Sequence, residues 1–203
     1  MIPGNPYSPH PGIAMMRNWI ETLPAKTGRS LEEWLRLIEE QGPAAEKERV
    51  AWLKSEHGLG TNSAGWLAER SVGKGEEDGD PELYLRCAVG YVDAMFAGRE
   101  ILRPVYDELL KLGLSIGPDV KACPAKTIVP FYRNHVFAQI KPATKTRIDL
   151  GFALKDTPAT GRLIDTGGFA KKDRITHRIP VARLEEIDAE VRRWLQTAYE
   201  MDA

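Results

Sequence analysis

The run Thr146-Arg147-Ile148-Asp149-Leu150-Gly151-Phe152-Ala153-Leu154 decides the fold. Arg147, Asp149 and Gly151 alternate with Ile148, Leu150 and Phe152, which puts polar groups on one face of an extended chain and apolar groups on the other. Working outward, Thr127–Tyr132 and Val136–Lys141 are rich in β-branched and aromatic residues. Asn134-His135 and Pro142-Ala143-Thr144 are turn-sized gaps between these runs, so a meander of antiparallel strands is predicted. Downstream, Pro158-Ala159-Thr160-Gly161 and Thr166-Gly167-Gly168 mark irregular chain. Ile175–Val181 returns as a strand, with Pro180 restricting it to an edge or a strand end. A final helix is expected from Leu184 to Tyr199, with Leu184, Ile187, Val191, Leu195 and Ala198 facing inward.

Upstream the period is helical. Tyr84, Cys87, Ala88, Tyr91, Ala94 and Met95 form one stripe behind Pro81, which suits the first position of a helix. Leu102, Val105, Leu109 and Leu112 form another, closed by Gly113 and Gly117. Ser71-Val72-Gly73-Lys74-Gly75-Glu76-Glu77-Asp78-Gly79-Asp80 has no apolar period and reads as a linker; it lacks the ligand spacing of a calcium loop. Before it, Ser30 and Glu33 have capping-box spacing ahead of Leu31, Trp34, Leu35 and Ile38. Gly42-Pro43 ends that helix and starts one carrying Val50, Trp52 and Leu53, with Gly58 as its left-handed terminator. Asn62 or Ser63 then caps a short helix bearing Trp66 and Leu67. Ile13, Met16, Ile20 and Leu23 predict a first short helix stopped by Pro24, after a proline-rich arm expected to be unstructured. The fold class is therefore α+β: an N-terminal helical unit, then an antiparallel sheet with flanking helices. The expected divisions are an arm and short helix over 1–26, a helical domain over 27–71, a linker over 72–80 and an α+β domain over 81–203.

Composition bounds the class. The 203 residues are 42% hydrophobic, enough for a core, and no apolar run approaches the roughly 20 residues of a membrane-crossing helix. The first residues lack the basic-then-apolar layout of a secretory signal, and Cys87 and Cys123 are too few for a disulfide framework. A cytoplasmic location is expected. The formal charge of -1 hides an asymmetry: residues 118–183 hold 13 Lys or Arg against 5 Asp or Glu, so +8 there faces -9 elsewhere. Segregated charge of this kind points to an anionic partner for the basic segment.

Two stretches resemble known families. Lys26–Trp34, followed by Ala51–Gly60, resembles an uncharacterised bacterial helical domain of unknown function. Leu102–Tyr106, Gly117–Val120 and Ala143–Gly151 resemble a second such domain, of a type labelled a predicted transport protein or found beside nuclease-like domains. The resemblance implies a recurrent two-part protein and carries no catalytic residues. Relatives of the first domain read Gly-His-Ala-Asn-Ala where this chain has Thr61-Asn62-Ser63-Ala64-Gly65.

The candidate ligand-binding residues are Arg133, Lys141, Lys145 and Arg147 on or beside two neighbouring strands, interleaved with Phe131, Tyr132 and Phe137, and then Lys171, Lys172, Arg174, His177 and Arg178. Cations beside aromatic rings hold phosphates and stack bases. The expectation is a non-catalytic binding or adaptor protein for nucleic acid or a phosphorylated small molecule. The competing account pairs these cations with acidic groups of the chain itself, and a further one has them meet another protein, such as a second copy's helical unit. As an enzyme, the only mechanism in outline is metal-dependent phosphodiester cleavage by Asp119, Gln139 and Lys141, in which the neutral Gln139 is a poor Mg²⁺ ligand. Cys123 with His135 or His177 is a thin basis for a thiolate pair, the short second helix of Ala44–Arg70, bearing Trp66 and Leu67, offers only Arg70 to a nucleic-acid groove, and the four histidines lack zinc spacing. No catalytic residue, metal or cofactor is expected.

Overall fold

The computed structural model describes residues 4–203; Pro3 of the expected arm lies outside them. Helices α1 (Gly12–Thr27), α2 (Leu31–Gln41), α3 (Glu46–Ser55) and α4 (Thr61–Arg70) are followed by α5 (Pro81–Phe96) and α6 (Arg103–Leu114). Six strands come next, β1 (Lys121–Ala122), β2 (Val129–Tyr132), β3 (Val136–Pro142), β4 (Ile148–Phe152), β5 (Ile164–Asp165) and β6 (His177–Val181), and α7 (Ala189–Glu200) ends the chain. The chain divides into two compact units. One is Pro9–Tyr84; the other joins Leu85–Ala203 with residues 4–8.

The division falls inside α5, not in the expected linker. Residues 72–80 belong to the first unit: Glu76–Gly79 forms a turn of 3-10 helix, Trp66 Nε1 donates to Asp78 Oδ2 at 3.1 Å and Arg17 Nε to Gly79 O at 2.8 Å. Acidic side chains that look merely solvated in the sequence are used here as local acceptors. The arm also differs from expectation. Ser8 N donates to Ala122 O at 2.9 Å, Asn5 Nδ2 to Leu85 O at 3.1 Å, and the hydroxyls of Tyr7 and Tyr106 lie 2.8 Å apart.

In the helical unit, Leu23, Trp34, Ile38, Leu53, Ala64, Leu67 and Ala68 form the core. The capping box holds: Glu33 N donates to Ser30 Oγ at 3.2 Å and Ser30 N to Glu33 Oε2 at 2.7 Å. Pro24 does not stop α1. It sits in the last turn, and the helix ends at Gly28, whose φ of 80° only glycine adopts without strain. The N-cap of α4 is Gly60, not Asn62 or Ser63.

The second unit is built on a fully antiparallel sheet in the order β1-β2-β3-β4-β6-β5. Val129, Phe131, Ala138, Ile140, Ile148, Leu150, Phe152, Ile179 and Val181 are fully buried and share one core with α5, α6 and α7. α6 lies close to the sheet because it presents no side chain at Gly113, where a Cβ would come 2.3 Å from Cζ of Phe131 on β2. This glycine serves packing within the helix and does not close it. β6 is an internal strand despite Pro180, which pairs with Asp149 on β4; β5 ends opposite Arg178, so Pro180 has no neighbour on its other side to miss its N–H. The last helix starts later than expected, at Asp188, whose side chain caps Glu190 N and Val191 N, and it leaves Leu184 exposed.

Candidate functional site

Register sorts the basic residues. Lys141, Asp149 and Arg178 stand on the face of the sheet turned away from the helices, because their neighbours Ile140, Leu150 and Ile179 fill the core. There Asp149 Oδ1 lies 3.1 Å from Arg178 Nη1 and 2.9 Å from Arg147 Nε, so one carboxylate holds two guanidinium groups. Lys145 is at the exposed hairpin tip between β3 and β4. Arg133 follows β2 and is used structurally: Nη1 donates to Tyr199 O at 3.1 Å, Nε to Asp119 Oδ2 at 3.2 Å, and the guanidinium lies 4.2 Å from the Tyr199 ring centre. His177 is 1% exposed, since its register partner Phe152 faces the core, and its Nδ1 is 2.8 Å from Thr176 Oγ1. It is therefore withdrawn from the candidate surface.

The loop from Thr166 to Thr176 brings the remaining candidates together. Its base is closed by Thr166, whose N and Oγ1 both donate to Thr176 O, at 3.0 and 2.8 Å. Arg174 forms one wall, with Nε donating to Val136 O at 2.7 Å and Nη2 to Asp202 Oδ1. Asp202 is the keystone. Its side chain is 3% exposed and also accepts from Asn134 N at 3.0 Å, His135 N at 2.8 Å and His135 Nδ1 at 3.1 Å. Burial alone raises the pKa of such a carboxyl, but the bonds from His135 and the charge and bond of Arg174 outweigh it and hold Asp202 below the usual range.

Beside this clamp lies a cleft of about 580 Å³ lined by Ala153, Lys155, Phe169, Ala170, Lys172, Asp173, Arg174, Thr176, Met201 and Asp202. Lys155 and Lys172 are the non-glycine residues with positive φ among those described, 55° and 61°. Lys155 opens a tight turn in which Thr157 N donates to Leu154 O at 3.1 Å. Lys172 ends a helical turn closed by Asp173 N to Gly168 O at 2.9 Å and Lys172 N to Phe169 O at 3.0 Å. Glycine normally fills that position. Left-handed backbone costs an L-residue about 1–2 kcal/mol, so two lysines carry strain at one site. Among the described residues neither makes an ion pair. Phe169, at 53% exposure, is the large aromatic of the cleft.

The sequence placed Lys172 and Arg174 here but not Lys155, Phe169 or Asp202. The chemistry of the other sequence candidates is occupied. Asp119 gives one oxygen to the Tyr199 hydroxyl at 2.6 Å and the other to Arg133, which leaves it poorly disposed to ligate a metal. Among the described residues no three His, Cys, Asp or Glu gather as a metal would require. Burial pushes the Cys123 thiol up to about 12, so it is not a thiolate nucleophile at neutral pH.

Fold and site together define an α+β protein of two units with a lysine-flanked cleft in the second. The chain belongs to the family described as Domain of unknown function (DUF5655), which matches residues 92–202; residues 15–70 match Domain of unknown function (DUF4287). Neither description carries the transport label of the resemblance. No curated protein and no solved structure matches this chain. Among the described residues no helix is long and apolar enough to cross a membrane.

Proposed function

We propose that the second unit is a non-catalytic, cytoplasmic binding module for a compact anionic ligand, held in the cleft between Lys155 and Lys172. One observation carries the reading: two lysines accept left-handed backbone strain on the rim of the same cleft, and neither is neutralised by an ion pair among the described residues. A small ligand is favoured over a nucleic-acid strand, the other expectation. Strand binding needs cations that follow the phosphates, whereas Arg133, Arg147, Arg174 and Arg178 are each paired with a carboxylate of this unit. A cleft of this volume is of ordinary ligand-pocket size.

Titration with inorganic phosphate, followed by ³¹P NMR, tests this. The wild type binds, and Lys155→Ala/Lys172→Ala loses binding, while Lys141→Ala on the sheet does not. Equal binding by all three proteins, or none by the wild type, refutes the assignment. A labelled oligonucleotide titrated at two salt concentrations covers the strand alternative, and light scattering covers association with a second copy.

A further inference from the structure

We infer that the ligand is a nucleoside monophosphate, its phosphate between Lys155 and Lys172 and its base stacked on Phe169; this rests on the anion-binding reading above. The cleft has two chemically different parts. One is cationic. The other is apolar and exposed, made by Phe169 at 53% exposure and Met201 at 37%, with Ala153 and Ala170 beside them. Phe169 interrupts a loop that is otherwise polar or small, from Thr166 to Arg174, and the buried core does not include it. An aromatic ring held in water next to two lysines suits a ligand that joins a flat ring to an anion, since every nucleobase has a face that stacks.

Charge sets the size of the anion. Lys155, Lys172 and Arg174 line the cleft against Asp173 and Asp202, a net of one positive charge, and Arg174 is already bound to Asp202. This suits a single phosphate and disfavours a triphosphate, which would crowd Asp173. Among the described residues Asp173 makes no ion pair, and a carboxylate in that state is the natural acceptor for sugar hydroxyls, as acidic residues are in other nucleotide sites. The Thr166–Thr176 base and the Arg174 anchor fix the loop before any ligand arrives, so little ordering is needed on binding.

Calorimetric titration of the full chain with AMP, ribose 5-phosphate and inorganic phosphate tests the inference. AMP binds at least about tenfold more tightly than ribose 5-phosphate, as stacking on one ring provides. Phe169→Ala removes that advantage and leaves ribose 5-phosphate unchanged; Phe169→Trp keeps it; Lys155→Ala/Lys172→Ala weakens both. Phe169 is exposed, so these variants fold, which an unchanged circular dichroism spectrum verifies. Equal affinity for AMP and ribose 5-phosphate, or AMP binding indifferent to Phe169→Ala, overturns the nucleotide while leaving the anion site standing. An eight-residue oligonucleotide binding far more tightly than AMP also overturns it, in favour of a strand. Failure of all three anions refutes the underlying anion site as well.

Discussion

Replacing Asp202 by Ala, which removes the oxygen that both backbone amides share, tests whether this clamp holds the second unit together. The carboxylate accepts from two backbone amides, Asn134 N and His135 N, at 3.0 and 2.8 Å, and from the side chains of His135 and Arg174. Each amide bond to a charged acceptor contributes about 1.5 kcal/mol, near 3 kcal/mol for the pair. His135 and Arg174 have side chains 72% and 49% exposed, so they rehydrate when released and add about 0–1 kcal/mol each. The expected loss is about 3–5 kcal/mol. Hydrogen exchange read on peptides from β2 to β4 should show protection falling by roughly 100- to 4,000-fold, since about 1.4 kcal/mol is tenfold. Asp156→Ala, the same change at an exposed position, should stay within about 0.5 kcal/mol of wild type. The sign with pH follows. The pKa of Asp202 is depressed in the folded state, so its contribution is complete above the ordinary carboxyl value near 4 and is lost as pH falls through the lowered one. Asp202→Ala should flatten that acid limb. A loss below about 1 kcal/mol, or an acid limb unchanged by the substitution, would show that the chain terminus merely rests on the β2–β3 turn.

Other consequences are as direct. Gly113→Ala sets a methyl against the Phe131 ring, with three ring carbons within 2.7 Å, and should cost about 1–3 kcal/mol or more, read as a lowered urea midpoint. Lys155→Gly and Lys172→Gly relieve left-handed strain of about 1–2 kcal/mol and lose about 0.5–1 kcal/mol to chain entropy. Each should leave stability equal or higher by up to about 1.5 kcal/mol while weakening phosphate binding; lower stability together with unchanged binding would refute a functional reason for the strain. Cys123, buried and with its thiol pKa raised, should resist iodoacetamide at pH 7.5 until urea opens the unit. Labelling at the rate of a free thiol would contradict its placement.

Much of the architecture is legible in the sequence because alternation and helical period report directly on burial. Ile148, Leu150 and Phe152 are all core, and Trp34, Tyr84, Leu109 and Leu195 are buried as their spacing requires. Period fails where two faces are both partly apolar. On α5 the buried stripe is Tyr84, Leu85, Ala88, Val92, Met95 and Phe96, with Cys87 and Tyr91 half-buried and Ala94 exposed. Leu35 and Trp52 are likewise only half-covered, and of the two only Trp52 packs against the helical core. Residues 72–80 are hard to read for a different reason: glycine and acidic residues look alike whether solvated or accepting hydrogen bonds.

The site shows the limit more sharply. A count of +8 between residues 118 and 183 reports how many cations the segment holds and nothing about which are already paired. In the folded unit Asp149 takes two arginines, Asp119 one and Asp202 one, so the sheet that the sequence offers as a basic platform is largely neutralised by its own carboxylates. Arginine forks find these partners because they make directional bonds to carboxylates, whereas the compact ammonium groups of Lys155 and Lys172 do not. Their importance lies in the backbone: a positive φ at a lysine has no signature in a residue string, because the sequence positions that normally announce it are glycine or asparagine. Pairing and strain therefore move the candidate site away from the strands, where the charge count pointed, and into a compact cleft between two turns. That displacement is also the physical reason for proposing a small phosphorylated ligand rather than a strand of nucleic acid.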